Sequence, residues 1–320
     1  MKLKTVSILM AGLVVAGCSS GAADATPTAA ADPVRLTNCG LPLTIGTPPK
    51  RAITMEQNAT EIMLSLGLGD RMVGTSYQTD PVLPALRPAY AKVPVLAKLY
   101  PSREAVRAAN PDFVYSTYTS AYAPDAAGPR KDLAALGVPA YLSRFACEQD
   151  AEPVFSFDGL FGEIRDIASV FDVAEQGERL VGEQRGRLDA ARNAAPARSL
   201  LWYYSGTSTP YVAGHGGVPD AVSTLLGARN AFTDATQRWP AGNWEEIAER
   251  DPDVIVLADL TRGGDGDSAR SKIEFLKQNP VTSKLDAVMH DRFVTVPGSS
   301  MDPSVRSVEA AEIVAAGLDR

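Results

Sequence analysis

Two stretches decide the fold: Ser102-Arg-Glu-Ala-Val-Arg-Ala-Ala-Asn-Pro-Asp112 and Asn243-Trp-Glu-Glu-Ile-Ala-Glu-Arg-Asp-Pro-Asp253. Each opens on a residue whose side chain can cap a helix, runs through a short helical pattern with an acidic residue in its first turn, and stops at Pro-Asp. Each then enters an apolar segment, Phe113-Val-Tyr-Ser116 in one case and Val254-Ile-Val-Leu-Ala258 in the other. One interval separates Glu104 from Glu245, Pro111 from Pro252 and Asp112 from Asp253. A helix–turn–strand unit repeated in this way predicts two related lobes with a cleft where they face each other, and clefts are where ligands bind.

Working outward, apolar runs at residues 51–55, 71–76, 112–117 and 139–143 read as strands, and 58–66 and 102–109 as helices. Asn58 is placed to cap the first helix, with Glu61 as the reciprocal member of a capping box and Gly67 as its stop. The alternation of strand and helix predicts a parallel sheet with helices outside. Residues 157–195 break the rhythm with an apolar pattern of helical period, in one piece or two. The rhythm resumes with strands at 199–204, 253–258 and 292–297. The expected fold is therefore α/β: two lobes, each a central mostly parallel β-sheet flanked by helices. The expected domains are a signal peptide at 1–17, a tether at 18–33, an N-terminal lobe at 34–156, a helical connector at 157–195 and a C-terminal lobe at 196–320.

Lys2 and Lys4 precede an apolar stretch too short to span a bilayer, which reads as a secretory signal. Val15-Ala16-Gly17-Cys18 resembles a bacterial lipobox, so Cys18 is the expected site of lipidation (palmitate or a similar acyl chain), and the protein is expected to touch the membrane through that anchor only. Residues 19–33 hold almost no large apolar side chains and read as a flexible tether. Within 320 residues the net charge is -7, with 38 acidic and 31 basic side chains, a balance that excludes a nucleic-acid binder. Two histidines, His215 and His290, cannot build a His-rich metal centre, and no cofactor is expected. No Gly-x-Ser-x-Gly elbow supports the rival reading as a secreted hydrolase. Cys39 and Cys147 remain after Cys18; in an exported chain they form a disulfide or stay as two buried thiols. Asp265-Gly-Asp267 lacks the further acidic spacing of a calcium loop and reads as a solvated turn.

Pro49-Lys-Arg-Ala-Ile-Thr-Met55, Ala59-Thr-Glu-Ile-Met-Leu-Ser-Leu-Gly-Leu-Gly-Asp-Arg-Met-Val-Gly74, the two Pro-Asp units and Asp291-Arg-Phe-Val-Thr-Val-Pro297 together resemble the periplasmic-binding family for ferric siderophores, haem and cobalamin. The resemblance spans residues 34–318. It implies two lobes joined by one long helix, stiff enough to keep closure small. It implies a monomeric, non-enzymatic lipoprotein that delivers a small ligand to an ABC importer, a permease with its ATPase. A ferric siderophore is the first expectation; cobalamin, haem and a deazaflavin-coenzyme precursor are the alternatives. It also implies that Glu104 and Glu245 dock onto arginines of the permease by two-point charge pairing. Both carboxylates would equally stabilise their helix ends. Glu246 is either the true contact or the capping partner of Asn243.

Ligand contacts are expected from loops at the strand ends. The candidates are Tyr77, Lys98, Tyr118, Tyr122 and Arg144 in the first lobe and Tyr204, Trp239, Trp244 and Arg306 in the second. Lys98 and Trp239 are mates in the repeat. Aromatic rings offer flat apolar area with a polar tip. Arg144 and Arg306 are expected to hold a negatively charged complex through planar, bidentate contacts. About half of the set should line the cleft, and the remainder should serve packing or surface. His215, in Gly214-His-Gly-Gly217, reads as a loop histidine, with an axial haem ligand as the sharper alternative.

Overall fold

Short apolar runs bounded by Gly, Pro and Asp become strands, and the computed structural model arranges them in two parallel sheets. It describes residues 32–147, 153–195 and 197–318. The signal peptide, Cys18 and almost all of the tether fall outside the described residues. The strands are β1 (Val34–Asn38), β2 (Leu41–Ile45), β3 (Ala52–Met55), β4 (Met72–Ser76), β5 (Val95–Ala97), β6 (Phe113–Ser116), β7 (Ala140–Leu142), β8 (Ser199–Ser205), β9 (Tyr211–Val212), β10 (Arg229–Asn230), β11 (Val254–Asp259) and β12 (Phe293–Pro297).

In the first lobe the order is β5-β4-β3-β6-β7, all parallel. In the second it is β10-β8-β11-β12, also parallel, with β9 antiparallel on β8. Every residue of β3, β6 and β7 is buried, as helices on both faces of a parallel sheet require. The N-terminal hairpin β1–β2 turns at Cys39 and Gly40, both at positive φ. Among the described residues no helix is long and apolar enough to cross a membrane.

The repeated Pro-Asp has one structural meaning in both lobes. The Asp112 carboxylate accepts from the backbone N–H groups of Lys50 and Arg51, both at 2.8 Å, at the entrance to β3. The Asp253 carboxylate accepts from the N–H of Ser199 at 2.7 Å, the first residue of β8. Each aspartate thus fixes the start of the central strand beside its own. The helices before them are capped as their sequences require: Ser102 accepts from the Ala105 N–H and Asn243 from the Glu246 N–H.

The connector takes the two-piece form. The helix Phe157–Val170, capped by Ser156, ends at Phe171, and Ala174–Ala191 begins after Asp172, whose φ is 57°. The first helix belongs to the first lobe: Glu163 accepts from the Tyr115 and Ser143 hydroxyls at 2.6 and 2.8 Å. The second is tied to the C-terminal helix Arg306–Leu318 by the Arg187–Glu312 pair. Phe113 meets Phe171 edge to face at 5.3 Å, so the kink is locked into the apolar core.

The helix after β3 departs from expectation. It runs Gln57–Ser65, with Glu56 at its N-cap and no side-chain cap bond. Asn58 lies inside it and donates to the Pro303 carbonyl at 3.1 Å. The Glu61 carboxylate takes the Arg306 guanidinium through two bonds of 2.6 Å. A charged partner on the other lobe outcompetes a local cap because charge-assisted, desolvated bonds are stronger than neutral ones. Glu61 and Arg306 are both buried and together clamp the lobes.

Candidate functional site

Parallel α/β sheets offer ligands the crevice beyond the carboxyl ends of their strands, and that is where the cavity between the lobes lies. Its volume is about 220 Å³. Residues following β3 (Glu56), β4 (Tyr77, Asp80), β5 (Tyr100) and β6 (Tyr118, Ser120) form one wall. Tyr204 of β8 and residues following β11 (Arg262) and β12 (Ser299, Asp302) form the other.

Glu56 forms the most constrained part of the site. It has φ 72° and ψ 157°, a conformation that L side chains rarely adopt. It is only 3% exposed. Its Oε2 accepts from the Ser116 hydroxyl (2.8 Å), the Thr117 N–H (2.9 Å) and the Thr117 hydroxyl (3.2 Å). Its Oε1 has no hydrogen-bond partner among the described residues. Burial pushes the carboxyl's pKa up, against the opposing pull of Thr117, Tyr100 and Ser116. The Tyr100 hydroxyl is near enough to act on Glu56, while its bond is to the Ser120 hydroxyl at 2.9 Å.

Aromatic rings frame this carboxylate. Tyr77, also at positive φ, stacks on Tyr100 at 4.8 Å. Tyr118 stands beside Asp302; burial and then Asp302 hold its hydroxyl protonated. Burial pushes the Asp302 carboxyl up to about 6, against the Tyr118 hydroxyl and Arg238, which favour its charged form. Tyr204 packs on Trp239 at 4.8 Å. Arg262 lines the cavity and is paired with Asp267 at 2.7 Å. Among the bonds that cross the cleft, the Ser299 N–H donates to Asp80 at 2.8 Å, and the Thr261 hydroxyl to the Thr79 carbonyl at 2.6 Å. The Ser299 hydroxyl, 6% exposed, has no partner among the described residues. The surface offered to a ligand is aromatic and rich in acceptors.

Of the nine ligand candidates, the structure brings Tyr77, Tyr118 and Tyr204 together at the cavity. Trp239 stands one layer behind, against Tyr204. Lys98 is exposed and outside the lining. Tyr122 is buried, its hydroxyl donating to the Tyr141 carbonyl at 2.7 Å. Trp244 belongs to the second lobe's core, between Tyr203 and Phe275. The expected pair of anion-holding arginines is corrected: Arg306 is consumed by Glu61, and Arg144 is paired with Asp166 at 3.0 Å. Neither lines the cavity, because each guanidinium has found a carboxylate on a neighbouring helix. His215 pairs with Asp220 at 3.0 Å and is also outside the lining. Asp265 is exposed and holds Thr207, whereas Asp267 is buried and holds Arg262 and the Gly264 N–H, so only the first of the two aspartates fits the expected solvated turn.

Sequence reasoning missed Glu56, Asp80, Tyr100, Ser299 and Asp302. One available signal was position, since Glu56 directly follows the central strand. Cys39 and Cys147 are joined as a disulfide, Cα atoms 5.1 Å apart. Glu104 and Glu245 are both exposed in the first turns of their helices. Glu246 is committed elsewhere: its N–H goes to Asn243 and its carboxylate to Arg250. Among the described residues no group of three His, Cys, Asp or Glu could hold a metal ion.

Known proteins share this fold. Residues 53–299 match the family model described as periplasmic binding protein. A vitamin B12-binding protein of Vibrio campbellii is 25% identical over 226 residues, 68% of this chain and 74% of its own length. Among solved structures, a periplasmic binding protein from Veillonella parvula is 28% identical with a TM-score of 0.79, over 89% of this chain and 97% of that one. A protein of an ABC-type Fe3+-hydroxamate transport system from Saccharomonospora viridis shares the fold at 24% identity and a TM-score of 0.75, over 90% and 99% of the two chains. With the family model covering most of the molecule, the chain belongs to the periplasmic binding protein family, and it is an extracytoplasmic binding protein of transport, not an enzyme.

Proposed function

We propose that this protein is a monomeric lipoprotein, anchored through Cys18, that captures a ferric siderophore and presents it to an ABC importer. The observation that carries this reading is the cleft wall of Tyr77, Tyr100, Tyr118 and Tyr204 around hydrogen-bond acceptors. A siderophore satisfies the coordination of its own iron, so its carrier needs flat contact area and polar recognition of the periphery, and needs no metal ligands. A cavity volume of about 220 Å³ is below the ~300–1,000 Å³ usual for a wholly engulfed ligand. It suits a ligand that inserts one part and leaves its bulk at the mouth.

The second reading is a corrinoid, favoured by the relatives named vitamin B12-binding proteins. A corrin ring rimmed by amide donors would also meet acceptors here, although its width fits this volume less well. Haem and a deazaflavin-coenzyme precursor carry acidic groups that would face Glu56, Asp80 and Asp302. Tryptophan-fluorescence titration of the full chain in detergent, with ferric hydroxamates, catecholates and carboxylates, haem and cobalamin, tests the assignment. Saturable quenching by a ferric siderophore alone is expected; saturation by cobalamin alone would replace the first reading with the second.

Delivery rests on Glu104 and Glu245, which we propose as the two permease contacts. Reversing both charges should abolish uptake in cells and leave ligand affinity unchanged. Normal uptake by that double variant would remove the docking role.

A further inference from the structure

The cavity combines three features that point to one chemistry. One lining atom, Glu56 Oε1, is buried and has no hydrogen-bond partner among the described residues, with the Tyr100 hydroxyl close to the carboxyl, while the opposite oxygen is fully engaged. A buried acceptor without a donor is costly, and a ligand that supplies the donor recovers that cost. A second buried, unpartnered group, the Ser299 hydroxyl, faces the same cavity from the other lobe. Three carboxyl groups, those of Glu56, Asp80 and Asp302, line the cavity, and the lining Arg262 is already held by Asp267. The remaining walls are tyrosine rings, whose negative faces attract a cation within about 6 Å. A bare metal ion is a poor candidate, because among the described residues these carboxylates do not converge as a metal site. A carboxyl group lined by aromatic rings suits an organic cation, which takes a hydrogen bond to the carboxylate and contact with the ring faces.

We propose that the cleft selects a ligand bearing an ammonium group, which inserts between Tyr77, Tyr100 and Tyr118 and donates to Glu56 Oε1. This deepens the siderophore reading and rests on it for the nature of the remainder of the ligand. It also accounts for the small volume of the cavity, which takes the charged arm while the chelated iron stays at the mouth.

Two ligands that differ only in this group provide the test. One is a linear ferric tris-hydroxamate ending in a primary ammonium; the other is its N-acetylated, uncharged derivative. Both are titrated into the full chain in detergent, beside haem and a ferric tris-catecholate. The ammonium form should bind at least about tenfold tighter, the value of one charge-assisted hydrogen bond. Glu56→Gln, which presents an amide donor to the arm, should abolish that preference. Asp80→Asn, at the rim, should reduce it in part. The ligand comparison uses the unaltered protein, so it stands even if a variant folds poorly. Equal affinity for the two hydroxamates would overturn the inference while the siderophore reading stood. Tighter binding of haem or the anionic catecholate would overturn it as well. If neither hydroxamate binds, the siderophore reading falls, and titration with 1,5-diaminopentane and tetramethylammonium decides the inference alone. Saturable quenching that Glu56→Gln removes would sustain it, and no binding would end it.

Discussion

The central strands β3 and β8 are each fixed at the start by a Pro-Asp aspartate, and each is followed by a residue at positive φ. In the second lobe that residue is Gly206 at φ 83°, where a Cβ would lie 2.3 Å from the Thr209 carbonyl oxygen. In the first lobe it is Glu56 at φ 72°. One backbone device therefore carries glycine where only a turn is needed and a carboxylate where the ligand is expected. A non-glycine residue in such a conformation costs on the order of 1–3 kcal/mol, and it persists only where the surroundings hold it. Here Ser116 and Thr117 hold it. The first lobe bears the strained carboxylate of the cavity, and the second faces it with Tyr204, Ser299 and Asp302.

Four experiments put that contrast to the test. The largest effect should come from the Cys39–Cys147 disulfide, which spans 108 residues of the first lobe. In the chain-entropy model, cross-linking a loop of that length is worth about 4.7 kcal/mol. Replacing both cysteines by serine should lower stability accordingly in denaturant melts, with hydrogen exchange rising in β3–β7 before β8–β12. Uniform loss across both lobes would contradict the contrast. Next is Arg306→Ala, which strands the buried Glu61 charge and should cost about 3–5 kcal/mol. The double variant Glu61→Leu with Arg306→Met should regain most of that loss; if it does not, the pair's hydrogen bonds matter more than its charges.

Gly206→Ala should cost about 2–3 kcal/mol, since positive φ and a backbone clash coincide there. A neutral outcome in thermal melts would show that the second lobe's turn relaxes freely, and the parallel with Glu56 would lose its meaning. The smallest effect concerns pH. Burial holds the folded-state pKa of Asp302 at about 6, above its ordinary value, so its carboxylate is the disfavoured form and the unliganded fold gains stability as pH falls from 7 towards 4. Tyr118 and Arg238 oppose that shift, and Asp80 adds to it. Affinity for the ammonium ligand should fall about threefold between pH 7 and 5 as this charge is lost, since one partly wet charge contributes under about 1 kcal/mol. Affinity independent of pH would place Asp302 outside the recognition.

The sheets were legible in the sequence because their strands are apolar on both faces and punctuated by Pro, Gly and Asp. Residues 113–116 and 254–259 needed no knowledge of their neighbours. The charged contacts were illegible for the opposite reason. Glu61 and Asn58 carry a local capping signature, and nothing near them announces Arg306 and Pro303, each 245 positions away. Tyr118 and Tyr122 look alike in the chain, yet the single turn Thr119–Tyr122 sends one into the cavity and the other into the core. Aromatic residue type identified candidates, and only the backbone path sorted them.

The Asp112 and Asp253 links have a consequence for the order of assembly. They join segments 61 and 54 residues apart, each inside one half of the chain. The bonds from Glu61 to Arg306 span 245. A chain emerging N-terminus first therefore holds every strand of its first sheet before the second exists. Its clamp waits for the final helix, so the two lobes are fastened to each other only once nearly the whole chain has been made.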